Sequence, residues 1–221
     1  MIMRQFMLVA WLGWHMGFAL AQEVAPATPR ASELAPEVAP QATPRTDKVV
    51  MHTALGDITL MIETERAPVT AANFLHYVDT KRFDGITFYR AVKMGDSGDY
   101  GLAQAGLRGN PKKLFPAIAH EPTTQTGLSH LNGAISMARL APGSAQADFF
   151  IVVGDVVGLD ARPDAPGDNL GYAVFGRVID GMDIIKQMLE KPRSETAASE
   201  AMKGQMLAEP VLINTVRRIT E

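Results

Sequence analysis

From about residue 48 onward, the chain alternates short runs of β-branched and aromatic residues with glycine-centred breaks, and only two segments carry a helical period. No other feature restricts the fold as much. Val49-Val50-Met51-His52-Thr53-Ala54 and Asp57-Ile58-Thr59-Leu60-Met61-Ile62 flank Leu55-Gly56, a hairpin signal. Further strands are expected at residues 86–92, 133–137, 149–153, 172–178 and 211–219. A first helix is expected over 67–78, where Pro68 suits the opening turn and Ala71, Phe74, Leu75 and Val78 recur at helical spacing. A second is expected over 181–190, with Asp180 as N-cap and Pro192 as its stop. Many short strands with two helices predict a mainly β domain, an antiparallel sheet or barrel capped by the helices.

The N-terminal residues follow a different logic. Arg4 precedes an apolar run from Phe6 to Leu20 that ends in Ala19-Leu20-Ala21-Gln22. A charge, an apolar stretch and a small-x-small site in that order predict a secretory signal peptide over residues 1–21. The run is shorter than the roughly 20 residues a membrane span needs, so cleavage after Ala21 and no stable span are expected. Residues 22–47 carry Pro26, Pro29, Pro36, Pro40 and Pro44 in a near-repeat, Glu23-Val24-Ala25-Pro26 returning as Glu37-Val38-Ala39-Pro40. With no large apolar residues spaced to bury a face, this stretch reads as a disordered tether, leaving 48–221 as the folded domain. The mature protein is expected in the periplasm.

Composition excludes several chemistries. A net charge of −3 with no Lys/Arg-rich run argues against a nucleic-acid surface. The absence of cysteine removes disulfides, thiolate catalysis and cysteine–zinc sites, and five scattered histidines argue against a histidine metal site. No metal and no cofactor are expected. An exported protein without cysteine must rely on its core alone.

Arg90 does not suit its strand. Alternation along residues 86–92 puts it on one face with Ile86, Phe88 and Val92. It is either a rim charge with its stem over apolar surface or a donor fork in a binding groove. The patches around it decide between the two. Gly56-Asp57-Ile58-Thr59-Leu60, Ala72-Asn73-Phe74-Leu75, Phe88-Tyr89-Arg90, Gln104-Ala105-Gly106, Gly133-Ala134-Ile135-Ser136-Met137-Ala138-Arg139 with Asp148-Phe149-Phe150-Ile151, and Gly171-Tyr172-Ala173-Val174-Phe175-Gly176-Arg177-Val178 follow one another in register. Their order and spacing resemble the cyclophilin-type peptidyl-prolyl cis-trans isomerases, with the bacterial exported branch most similar, across essentially all of 48–221.

The resemblance implies a closed eight-stranded antiparallel β-barrel capped by two α-helices, binding proline-containing peptides in an external groove. It implies that Arg90 donates toward the prolyl nitrogen, that Gln104 orients Arg90 and the peptide carbonyl, and that Phe150 floors the proline pocket. Leu102 and Leu159 match its apolar walls, Ala138 and Arg139 the edge that pairs with substrate backbone, and Tyr172 a groove position. Strand parity sets Asp148 and Phe150 on one face and Phe149 in the core. Four departures stand out. Residues 93–101 lengthen a connection, and Gly101 replaces an aromatic ring that Tyr100 is a candidate to supply. Gly158 replaces a tryptophan before Leu159. Asp148 replaces a glutamine and is expected to pair with Arg90 or Arg139 and to repel acidic substrates. The Arg139 side chain is itself expected to be solvated, and His52, His76, His120 and His130 are read as surface or structural residues. Two functions fit. One is a monomeric isomerase acting on unfolded exported proteins, with altered preference or reduced rate. The other is a low-activity cyclophilin-fold module that holds proline segments.

Overall fold

The computed structural model describes residues 43–95, 99–196 and 200–220. The expected signal peptide, and the tether up to residue 42, lie outside them. Eight strands form one closed antiparallel barrel. They are β1 (Asp47–Thr53), β2 (Gly56–Ile62), β3 (Ile86–Met94), β4 (Tyr100–Gly106), β5 (Ala134–Met137), β6 (Phe149–Val153), β7 (Ala173–Asp180) and β8 (Met206–Arg218). Around the barrel the order is β1-β2-β7-β5-β6-β4-β3-β8, and β8 returns to β1. Closure leaves no unpaired sheet edge among the described residues, where an open β domain would have one to shield. The first hairpin forms as expected: Thr53 pairs with Gly56, and the Thr53 hydroxyl donates to the Gly56 carbonyl at 2.6 Å.

The interior is filled by alternate residues of every strand, among them Val49, Met51, Ile58, Leu60, Phe88, Phe149, Ile151 and Phe175. Helix α1 (Pro68–Asp79) presses Phe74 into this core, 5.2 to 5.4 Å centroid to centroid from Phe83 and Phe149. Its first turn has no capping side chain of its own. Glu121, 2 % exposed, supplies one from a distant loop, accepting from the backbone N–H groups of Val69 and Thr70 and from the Thr70 hydroxyl. Among the described residues no helix is long and apolar enough to cross a membrane.

Four details differ from the sequence expectation. A third helix, α2 (Thr123–Thr126), makes a single turn between Pro122 and Gly127. Its four polar residues carry no apolar period to announce it. The last helix, α3 (Met182–Glu190), starts one residue late: Gly181 is its N-cap at φ +87, and the Asp180 carboxylate only accepts the Gly181 N–H. A β-branched or aromatic run does not mark β4, which is held by its neighbours rather than by propensity. Finally, β3 is not a regular strand. Phe88 pairs with Ala105 and Arg90 with Gln104, so Tyr89 is an extra residue, and the register shifts at the same point against β8.

Candidate active site

That bulge resolves the oddity of Arg90. Regular alternation would align Arg90 with Phe88, which is fully buried in the barrel. The extra residue breaks the parity: Ile86, Phe88 and Ala91 face the core, while Val92 packs with the second, outer apolar cluster. Arg90 is thereby turned onto the outer face, beside Gln104 of β4. Bulges recur where a strand must aim a side chain at a site.

On that outer face, β4, β6, β5 and β7 carry a second apolar layer of Leu102, Phe150, Val152, Ala134 and Val174. These strands are therefore apolar on both faces, which is why residues 149–153 read as an uninterrupted apolar run. Leu102 and Phe150 of this layer floor a cavity of about 580 Å³ whose lining also includes Arg90, Gln104, Leu159, Tyr172 and Ala138. All nine residues singled out from the sequence (Arg90, Gln104, Phe150, Leu102, Ala138, Arg139, Asp148, Leu159 and Tyr172) line it.

Arg90 is held from two sides. Its Nη1 donates to the Gln104 Oε1 at 2.7 Å, and its Nε and Nη2 donate to the Gln205 Oε1 at 2.9 and 2.5 Å. Gln104 is fixed in turn, its Nε2 donating to the Tyr89 hydroxyl at 2.7 Å. The bulged residue thus orients the amide that orients the arginine. Burial lowers the Arg90 pKa from the ordinary arginine value, opposed by the Tyr89 and Tyr172 hydroxyls, and no carboxylate among the described residues contributes. One N–H on each terminal nitrogen is left over for a ligand.

The floor has its own support. Phe150 lies parallel to the His130 ring, centroids 5.9 Å apart, and meets Tyr172 edge-on at 5.4 Å. His130 is fully buried and spans Asp160 (Nδ1 to Oδ1, 2.5 Å) and Ser136 (Nε2 to Oγ, 2.9 Å). Burial depresses the His130 pKa more than its hydrogen bond to Asp160 raises it. Serine, histidine and carboxylate stand in hydrolase order here, but Ser136 is wholly buried beneath the floor and no substrate reaches it. The group is structural.

Two expectations about charge are corrected. Arg139 is not solvated: its side chain is 4 % exposed, forms a two-point pair with Asp168 at 2.6 and 2.9 Å, donates to the Gly171 carbonyl and lies over the Tyr172 ring. Asp148 pairs with neither Arg90 nor Arg139. Its Oδ1 accepts the backbone N–H of Arg108 at 3.0 Å, where the chain turns through φ +145 at Gly106 and +52 at Arg108. A Cβ at Gly106 would fall 1.8 Å from the same oxygen, so aspartate and glycine fit as a pair. Burial raises the Asp148 pKa against the pull of the Arg108 and Leu107 amides.

The aromatic replacement also fails. Tyr100 is 45 % exposed and lies against Gly154, away from the cavity. Position 101 has no room for a ring, since even a Cβ there would meet the Val92 carbonyl at 2.4 Å. Met94, Met202 and Met206 line that side of the cavity instead. A Cβ at Gly158 would meet nothing within 4 Å, so the wall is open there. The residue missed entirely is Gln205. It lies 115 positions from Arg90, in a stretch without apolar periodicity, and no local signal marks it.

A closed antiparallel barrel with an outward apolar cavity, and a guanidinium held by neutral amides over its floor, defines a peptide-binding barrel. The family model for cyclophilin-type peptidyl-prolyl cis-trans isomerases matches residues 48–216. A peptidyl-prolyl cis-trans isomerase of Acinetobacter baylyi is 33 % identical over 171 residues, 76 % of this chain and 84 % of that protein. The isomerase cyp18 of Streptomyces antibioticus is 33 % identical over 138 residues, 62 % of this chain and 80 % of its own length. A solved cyclophilin of Cryptosporidium parvum superposes with a TM-score of 0.58 at 18 % identity, covering 80 % of this chain and 99 % of that one. The chain belongs to the cyclophilin-type peptidyl-prolyl cis-trans isomerases, enzymes that act on proline-containing peptides.

Proposed function

We propose that this isomerase accelerates X–Pro rotation in exported proteins as they fold, with Arg90 donating to the prolyl nitrogen. The barrier to rotation, about 18–20 kcal/mol, comes from partial double-bond character in the C–N bond. When the bond twists, the nitrogen regains its lone pair and becomes an acceptor, so a fixed donor there stabilises the transition state more than either ground state. The observation carrying the reading is that Arg90 is held between two uncharged amide oxygens beside Phe150, keeping its full charge and two N–H groups over the apolar floor. Proline would rest on Phe150 with Leu102 and Leu159 at its sides, and substrate backbone would pair along Ala138 and Arg139.

The rival reading, a holding module with little turnover, gains from each departure at the groove: Gly158, the 93–101 connection, and Asp148 if it pairs with Arg90. The Asp148 carboxylate accepts the Arg108 backbone N–H rather than pairing with Arg90, which favours the isomerase. NMR exchange on a proline tetrapeptide separates the two: catalysed exchange in the wild type that is lost in Arg90→Ala supports the isomerase, and exchange no faster than buffer supports the holding module. Export rests on the Arg4, Phe6–Leu20 and Ala21 pattern. Intact mass of the periplasmic fraction is expected to show a chain beginning at Gln22, whereas a cytosolic chain of full length would refute export.

A further inference from the structure

We infer that Gln205 is a positioning residue of the isomerase, one that acts on the reaction only through Arg90. This rests on Arg90 being the donor described above.

Gln205 stands just before β8, and its place is fixed independently of its side chain. Its carbonyl accepts the Ala91 N–H at 2.9 Å, on the residue next to Arg90. The Ser194 N–H donates to the Met206 carbonyl, and Arg193 forms a bridge with Leu207 while its Nε donates to the Ala91 carbonyl at 2.9 Å. The Arg193 terminal nitrogens hold the Leu189 and Lys191 carbonyls at the C-terminal end of α3. Two chain segments are thus tied to β3 at Ala91, just past the bulge, and the backbone that carries the Gln205 amide is held by these bonds.

The geometry gives that amide a specific task. An arginine side chain has four rotatable bonds and high rotamer entropy. Gln104 alone engages one terminal nitrogen, which leaves the guanidinium free to swing about that contact. Gln205 takes the Nε and Nη2 edge, so the two amides together fix the plane. A carboxylate in its place would grip harder but would cancel the charge the reaction needs. A neutral oxygen holds the group without cancelling it.

The test uses Gln205→Met, which keeps length and removes the acceptor, and Gln205→Glu, which keeps the acceptor and adds charge. Line-shape NMR on a proline tetrapeptide gives the on-enzyme rotation rate and the peptide Kd separately. Gln205→Met is expected to lower the rotation rate by roughly tenfold, within the range that misplacement of a reacting group produces, with the Kd changed less than about twofold. The 15N resonance of the Arg90 Nε–H should broaden or exchange faster in Gln205→Met and stay sharp in Gln205→Glu, although the rate falls in both. A Gln205→Met rotation rate within about twofold of wild type, or an unchanged Arg90 Nε–H resonance, overturns the inference. If Arg90→Ala also keeps the wild-type rate, the donor reading fails. If Arg90→Ala loses the rate and Gln205→Met does not, only the role of Gln205 fails.

Discussion

Glu121→Gln is the sharpest test of how helix α1 is held at its N-terminus. The carboxylate takes three hydrogen bonds at the start of α1: Val69 N–H at 3.1 Å, Thr70 N–H at 2.7 Å and Thr70 Oγ–H at 2.6 Å. An amide of the same shape has one oxygen. If that oxygen serves Thr70, the new NH₂ faces the Val69 N–H, so one bond is lost, about 1 kcal/mol because Val69 is partly open to water. The two remaining bonds lose their ionic character, roughly 0.5–1 kcal/mol each. The favourable charge at the helix N-terminus goes too, about 0.3–1 kcal/mol. The sum is about 3 kcal/mol, or a fall in Tm of roughly 6–12 °C for a domain of this size. Thermal unfolding by circular dichroism measures it directly. Glu121 is not part of the cavity lining, so isomerase activity well below the lowered Tm should stay within about twofold of wild type. A Tm drop under about 2 °C would refute the claim that this residue caps α1, and a selective loss of activity would mean that it acts on the groove instead.

Asp148→Asn should change the pH dependence of stability. Burial holds the folded-state pKa of Asp148 above its unfolded value, so the folded state binds the proton more tightly and this group's contribution is lost as pH rises through that raised pKa. The substituted amide cannot ionise and keeps an oxygen for the Arg108 N–H. Denaturant titrations should therefore show the variant gaining on the wild type from the ordinary carboxylate range upward, and a difference independent of pH would contradict the assignment. Arg139→Ala removes the group that ties Asp168 and Gly171 to the groove edge and covers the Tyr172 ring. Peptide Kd by calorimetry should rise roughly fivefold, about 1 kcal/mol, as the Gly171–Tyr172 edge loosens, and an unchanged Kd would show that this side chain does not shape the binding edge.

Much of this arrangement could be read from residues alone, and the parts that could not have physical reasons. The first hairpin is legible because Leu55-Gly56 supplies a turn between two alternating runs. Phe149 in the core and Phe150 in the groove follow from a period of two. The same period misplaces Arg90 relative to Phe88, since a bulge costs one residue and leaves no compositional mark. Glycine stands at both ends of β4 for reasons of close approach, Gly101 against the Val92 carbonyl and the Leu189 side chain and Gly106 against Asp148, so packing selects residues that propensity scales disfavour. The partners of Asp148 and Arg139 are set by loop geometry at Gly106 to Arg108 and Asp168 to Gly171. Charge type alone suggested pairing with Arg90, and a backbone amide won instead. Gln205 reaches Arg90 only through barrel closure by β8, which no local window contains.

In the proposed mechanism a guanidinium held by neutral amides lowers the rotation barrier. Exchange NMR on an X–Pro tetrapeptide with wild type and Arg90→Ala tests it most directly, with Tm compared to exclude unfolding. The account predicts an on-enzyme rotation rate reduced on the order of 100-fold in the variant, the usual cost of deleting one preorganised donor, while the peptide still binds over Phe150. An Arg90→Ala enzyme that rotates the bond at the wild-type rate would contradict it.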